Sequence, residues 1–251
     1  MTKIFILGAP DPEMEEIERV VRACGHEVRY ALQRQTRVRA ESAYRADSLS
    51  APMPKGSTLI FVECEVLGLT CDVLVDHHRP GDPGYGRPPA TYLESSSLGQ
   101  TLKYLELEAT EQQRIIAAAD HCPTQAYQGN CPGVSPQALL KWRTESRAAR
   151  RGVTPAEMDA NILTAKGILE SAERIAVGDC TLPWVNDRKG EITEASARFN
   201  LPFTYAEPLN DGRTKMGIMG AKPSVIEFWM RECGLTNVYG DPARGYAGGY
   251  C

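Results

Sequence analysis

Cys71-Asp72-Val73-Leu74-Val75-Asp76-His77-His78 is a short apolar run that ends in an acid and two imidazoles. A brief hydrophobic stretch without alternation reads as a strand buried on both faces, the habit of parallel sheets. Two other stretches read the same way. Residues 3–7 end at Gly8-Ala9-Pro10, and residues 58–62 end at Glu63-Cys64-Glu65. After the first, Asp11-Pro12 supplies a helix N-cap and a proline at the first helical position. Met14, Ile17, Val20, Val21 and Cys24 then space a buried helical stripe, and Gly25 stops it. Residues 26–32 predict another strand. Residues 33–55, polar and punctuated by proline, predict mixed helix and loop. The alternation of strand and helix predicts an α/β fold with a parallel, doubly wound sheet.

Downstream, a loop rich in Pro and Gly (residues 80–89) leads into helices with well-marked starts. Ser97 with Gln100, Thr110 with Gln113, and Thr154-Pro155 with Glu157 fit the capping box, and Ser135-Pro136 adds a further cap. Residues 97 to about 173 therefore predict roughly four helices. Beyond Arg174 the texture changes. Short strands at 175–177, 203–206 and 214–219 interleave with helices at 191–200 and 224–233. The expected organisation is a first domain over 1–150, a helical connector to about 173, and a second, smaller α/β domain over 174–251. The last twelve residues, from Gly240, are glycine-rich.

The chain of 251 residues is 42% hydrophobic and 24% charged, ordinary for a globular protein, and long enough to bury a sizeable core. A net charge of −4 offers no bulk attraction to nucleic acid or an anionic membrane. Short oligonucleotides are the only nucleic acid expected. Arg147, Arg150 and Arg151 cluster, as a basic groove or as a solvated helix end. No stretch approaches the roughly 18 apolar residues that span a bilayer. The N-terminal run reads as a first strand, not a signal peptide. Eight cysteines without a secretory signal predict reduced thiols and a cytoplasmic location. No Cys-x-x-Cys pair occurs, so a structural zinc site has little support.

The strand ends carry the chemistry. Strand one delivers Asp11 and Glu13. The strand at 58–62 delivers Glu63 and Glu65, placed on one face by alternation. The strand before the histidines delivers Asp76, with His78 on its face. In open α/β sheets ligands bind beyond the carboxyl ends of the strands. Carboxylate and imidazole together suit Mn²⁺ or a similar ion, and clustered acids repel unless a cation joins them. Asp120-His121, closing the apolar helix face of Ile115, Ile116, Ala118 and Ala119, adds a second acid–imidazole pair. Plainer readings exist for each: a helix cap for Asp11, a first-turn charge for Glu13, exposed strand ends for Glu63 and Glu65, and a polar helix end for Asp120-His121. Arg79 and Arg87 flank the loop after the histidines and could clamp a phosphate. Arg244 lies beside Gly245, Gly248 and Gly249, where backbone N–H groups can approach an anion closely.

Val75-Asp76-His77-His78, followed by Glu94-Ser95-Ser96-Ser97-Leu98-Gly99-Gln100, resembles the third motif of the DHH phosphoesterase superfamily and the helix after it. The resemblance implies a parallel-sheet domain, a helical connector and a smaller domain with a glycine-rich substrate loop. It also implies Mn²⁺-dependent cleavage of phosphate esters or anhydrides. Asp76 matches the metal-bridging or ligating aspartate, His77 and His78 the histidine pair, and Asp120 the fourth-motif aspartate. The first motif normally has a His followed by Asp-x-Asp. Here Gly8-Ala9-Pro10-Asp11-Pro12-Glu13 has no histidine and has Glu for the second Asp. The second motif normally has one Asp at a strand end; Glu63 or Glu65 stands there. The tail Arg244-Gly245-Tyr246-Ala247-Gly248-Gly249 resembles the glycine-rich loop without its histidine.

The expectation is therefore a cytoplasmic, Mn²⁺-dependent phosphohydrolase acting on a phosphodiester, nucleotide or other small phosphate-containing substrate. One or two Mn²⁺ or other divalent ions would be held by Asp11, Glu13, Glu63 or Glu65, Asp76, His78, Asp120 and His121. His77 or His78 would ligate metal or act as general acid. Arg79, Arg244, Gly245, Gly248 and Gly249 would bind substrate. The alternative is a catalytically inactive nucleotide- or metal-binding protein on the same fold, and a third reading is a metal hydrolase of another substrate class. The sequence is compatible with a homodimer.

Overall fold

In the computed structural model, which describes residues 2–188, 190–209 and 212–251, the first strand β1 (Lys3–Leu7) leads through helix α1 (Pro12–Ala23) to β2 (Glu27–Gln33). Asp11 caps α1 by accepting from the Met14 N–H, Pro12 occupies its first turn, and Gly25 takes a φ of +76° just beyond it. Two short strands, β3 (Thr36–Arg37) and β4 (Ser48–Leu49), precede β5 (Thr58–Val62) and β6 (Val73–Val75). Helices α2 (Tyr92–Ser95), α3 (Ser97–Tyr104) and α4 (Glu111–His121) follow. The segment at 33–55, read from sequence as mixed helix and loop, is thus two short strands around one 3₁₀ turn.

The chain is mixed α/β. The first sheet runs β3-β2-β1-β5-β6, with β4 paired to β2. β2, β1, β5 and β6 are mutually parallel, while β3 and β4 are antiparallel to β2. Ile4, Phe5, Ile6 and Leu7 are all fully buried, so β1 is covered on both faces. Ile4 and Ile6 pack with Ala31, Val38, Ala43, Ala46 and Phe61, which places the segment after β2 over one face. On the other face the Phe5 ring meets Tyr104, the last residue of α3, edge-on. The register places Leu7 beside Val62 and Val62 beside Val75. The segments after these three strands therefore emerge together along one sheet edge.

The chain divides into two compact units, the first reaching Tyr85 and including Thr91–His121, the second holding Gly86–Ala90 and Cys122–Cys251. This differs from the sequence expectation of a first domain to 150 and a connector to about 173. In the second unit α5 (Pro123–Tyr127), α6 (Pro136–Arg151) and α7 (Pro155–Ser171) are followed by β7 (Arg174–Val177), β8 (Cys180–Val185), α8 (Ile192–Phe199) and β9 (Phe203–Pro208). Strand β10 (Thr214–Met219), helix α9 (Pro223–Glu232), β11 (Thr236–Asp241) and β12 (Tyr246–Tyr250) complete it. The sheet order is β11-β12-β10-β9-β8-β7, antiparallel except for β8 with β9. Ala148, Met158, Ile162 and Leu169 pack against Ile192, Phe203 and Tyr205. That shared core explains why the two long helices belong with the second sheet.

Two buried carboxylates at α8 tie α5 and α6 down. Glu194 accepts from Arg143 and Tyr127, and Glu191 accepts from Arg147 and pairs with Arg151. Arg147 and Arg151 are thus engaged in ion pairs at the end of α6. Among the described residues no helix is long and apolar enough to cross a membrane.

Candidate metal centre

The parallel register carries Gly8, Glu63 and Asp76 to one edge of the first sheet. Glu63 sits directly after β5, and its N–H donates to Val75 O at 3.0 Å, extending the β5–β6 ladder to the threshold of Asp76. Glu63 has a φ of +50°, a left-handed conformation that costs a non-glycine residue on the order of 1–3 kcal/mol. That twist breaks the strand alternation. Cys64 turns inward, its thiol donating to Ile6 O, while Glu65 turns out and pairs with Arg79. Glu63 and Glu65 therefore face different partners, against the shared face expected from sequence. The Gly8 backbone passes so close to Glu63 that a Cβ there would lie 2.3 Å from its carbonyl oxygen.

Glu63 reaches the two histidines. Its Oε1 is 3.4 Å from His77 Nε2 and 3.9 Å from His78 Nδ1. His77 Nε2 is also 3.1 Å from Asp120 Oδ2, carried by the last turn of α4. Glu13, in the first turn of α1, completes the group. One ligand atom from each of Glu13, Glu63, His77 and Asp120 lies within 4.8 Å of all the others, and Glu63, His77 and His78 form an overlapping triple. Carboxylate oxygen with imidazole nitrogen is a donor set for Mn²⁺ and related divalent ions.

The electrostatics point the same way. Glu13 is 1% exposed. Its Oε1 accepts from the Leu98 N–H at the start of α3, while its Oε2 is buried without a hydrogen-bond partner. Burial, then the charges of Asp120, Glu63 and Asp11, holds its carboxyl well above the usual range. Burial and the Glu63 and Asp120 charges likewise push Asp11 up to about 8. A cation at the shared point would offset this repulsion and give Glu13 Oε2 a partner. These residues could hold a divalent ion.

Asp76 occupies a different position from the ligating one read from sequence. It is fully buried and belongs to neither cluster. Its Oδ1 accepts from the His77 and His78 N–H groups at 2.7 and 3.0 Å and lies 3.0 Å from His78 Nδ1. Tyr44 donates its hydroxyl to the same carboxylate at 2.9 Å. Burial alone would raise the Asp76 carboxyl, but His78's hydrogen bond and charge and the Tyr44 hydroxyl hold it below the usual value. Asp76 thus shapes the turn that aims the histidines. Gln100 clamps the Asp76 backbone at both of its polar groups: its amide nitrogen donates to Asp76 O at 2.9 Å and its amide oxygen accepts from Asp76 N–H at 3.2 Å. Asp82 Oδ2 accepts from the His78 and Arg79 N–H groups.

The remaining candidates fall outside the cluster. Asp11 is the α1 cap and lends its charge from nearby. His121 Nδ1 is engaged with His77 Nδ1 at 3.0 Å. Arg79 lies over the Tyr44 ring, 3.8 Å from its centroid. In the second unit, Gly248 and Gly249 are residues of β12, opposite Gly217 and Met216, and Gly245 turns the chain into that strand. The expected loop is thus partly a strand whose backbone is spent on the sheet. Arg244 lies over the Tyr246 ring. Tyr44 and Asp82 were not singled out by sequence reading. Asp82 carried a signal, a turn acid four residues after His78; Tyr44 carried none. No protein-family description matches this chain, and no curated protein matches it.

Proposed function

We propose that this protein is a divergent relative of the DHH phosphoesterases, with a doubly wound first domain, and that it hydrolyses a small phosphate-containing substrate with the help of Mn²⁺ or another divalent ion. One observation carries the reading: Glu13, Glu63, His77 and Asp120, from four separate elements, converge within 4.8 Å at the carboxyl edge of a parallel sheet. A bound divalent ion lowers the pKa of a coordinated water and screens phosphoryl charge. The protein's own part is to hold the carboxylates and His77 Nε2 in place and to exclude water behind them. His78, partly exposed and held by Asp76, would pass a proton to a leaving oxygen. Arg79, already engaged by Glu65 and Tyr44, is the cation we assign to a substrate phosphate.

A second reading, a binding protein that has lost turnover, is favoured by Gly8-Ala9-Pro10, which offers no imidazole where the resemblance calls for one. An Mn²⁺-supplemented assay against a linear dinucleotide, a cyclic dinucleotide, pyrophosphate and a generic phosphodiester separates the two. Cleavage of any of them, lost in Glu63→Gln and His77→Ala with the fold retained, supports the hydrolase. Stoichiometric Mn²⁺ uptake without cleavage of any of them supports the binding protein.

A further inference from the structure

We propose that His121 is a positioning residue that accepts the Nδ1–H of His77 and so leaves His77 Nε2 bare toward Glu63 and Asp120, ready to ligate. This rests on the metal centre described above.

The two Nδ1 atoms are 3.0 Å apart, the rings lie nearly parallel at 26°, and both residues are at most 1% exposed. One proton lies between two nitrogens, so one ring donates and the other accepts. A ligating nitrogen must present its lone pair, and a metal-bound imidazole is oriented by whatever its second nitrogen bonds. His77 Nε2 is the atom aimed at Asp120 and Glu63. With Nε2 bare, the His77 proton sits on Nδ1, and His121 Nδ1 must accept it. His121 therefore carries its own proton on Nε2.

The place of His121 at the end of α4, after the buried Ala117, Ala118 and Ala119, keeps its ring out of bulk water. This assigns His121 a role other than the ligand role read from sequence.

The test titrates Mn²⁺ into the full chain by calorimetry, with thermal melts of each metal-free protein alongside. His121→Phe removes the acceptor. His121→Asn restores one, because its Oδ1 falls close to the place of the histidine Nδ1. The expected result is a loss of about 10–100-fold in Mn²⁺ affinity for His121→Phe, largely recovered in His121→Asn. A merely structural role would lower both melting temperatures and leave the affinities alike. Wild-type affinity in a folded His121→Phe would overturn the proposal, as would an Asn variant no better than Phe. Should the Phe variant fail to fold, ¹⁵N spectra of the wild-type protein loaded with Zn²⁺ decide. His77 protonated at Nδ1 with an unprotonated His121 Nδ1 supports the proposal, and the reverse overturns it. A folded wild type that takes up neither ion would instead refute the metal centre on which the proposal stands.

Discussion

Glu194 offers a prediction whose size follows from the structure. Its side chain is 1% exposed and accepts hydrogen bonds from Arg143 and Tyr127, with Arg147 3.6 Å away. Burial raises its carboxyl, but the charge and hydrogen bonds of Arg143, then Arg147 and Tyr127, more than offset this and bring it from 4.5 down to about 2. The folded value lies below the unfolded one, so the ionised group stabilises the fold above pH 4.5. That stability is lost as the pH falls from 4.5 through about 2. At about 1.4 kcal/mol per pH unit of displacement, the contribution is about 3 kcal/mol, a large share of a typical stability of 5–15 kcal/mol. Glu194→Gln also leaves Arg143, mostly buried, without its counter-charge. The variant should be less stable than wild type by about 3 kcal/mol at pH 7. The gap should narrow steadily between pH 4.5 and 2. Urea unfolding at a series of pH values, followed by near-ultraviolet circular dichroism, measures it. A gap that stays constant down to pH 2.5, or a variant as stable as wild type at pH 7, would refute the reasoning.

Two further substitutions probe the metal centre's support. A Cβ at Gly84 would lie 1.9 Å from Ser95 O and 2.6 Å from His77 Cβ, so Gly84→Ala should cost about 1–3 kcal/mol through forced displacement and weaken Mn²⁺ binding; unchanged unfolding midpoints would contradict this. Tyr44→Phe removes one of the donors to the buried Asp76 carboxylate. It should destabilise the metal-free protein by about 1–3 kcal/mol and weaken Mn²⁺ binding about tenfold, and calorimetry showing full affinity would count against an orienting role for Asp76.

Much of the first sheet was legible because its parallel strands are apolar runs bounded by strong punctuation, and β1 is buried on both faces. Thr58–Val62 lies between a glycine turn and two acids, and the strand matches the apolar run. The caps at Asp11, Ser135 and Thr154 all form as read, each accepting a backbone N–H in the first turn. Thr110 and Gln113 exchange both bonds of a capping box. Ser97 shows the limit of such reading. The cap is its neighbour Ser96, and Gln100 is drawn away to Asp76 by a contact distant in sequence.

Where long-range packing decides, the sequence was silent. Strand β8, which contains Pro183, was absent from the sequence reading, yet it pairs on both sides. The glycines of β12 looked like a loop. At Gly248 a Cβ would meet the Tyr239 hydroxyl at 2.6 Å, so the bare backbone lets that ring lie against the strand. At the centre, the acids and histidines were visible as residue types at strand and helix ends. Their division of labour was not. The left-handed turn at Glu63 separates it from Glu65, and the cage of donors around Asp76 follows from Tyr44, 32 positions earlier in the chain.

The central claim is that Glu13, Glu63, His77 and Asp120 hold a divalent ion. Calorimetric titration of Mn²⁺ into the chelator-treated full chain tests it most directly, with Glu63→Gln and His77→Ala measured beside it. The account predicts saturable, stoichiometric binding that either substitution reduces at least tenfold while circular dichroism shows the fold intact. Absence of binding by a folded wild-type chain, or wild-type affinity in both folded variants, would contradict it.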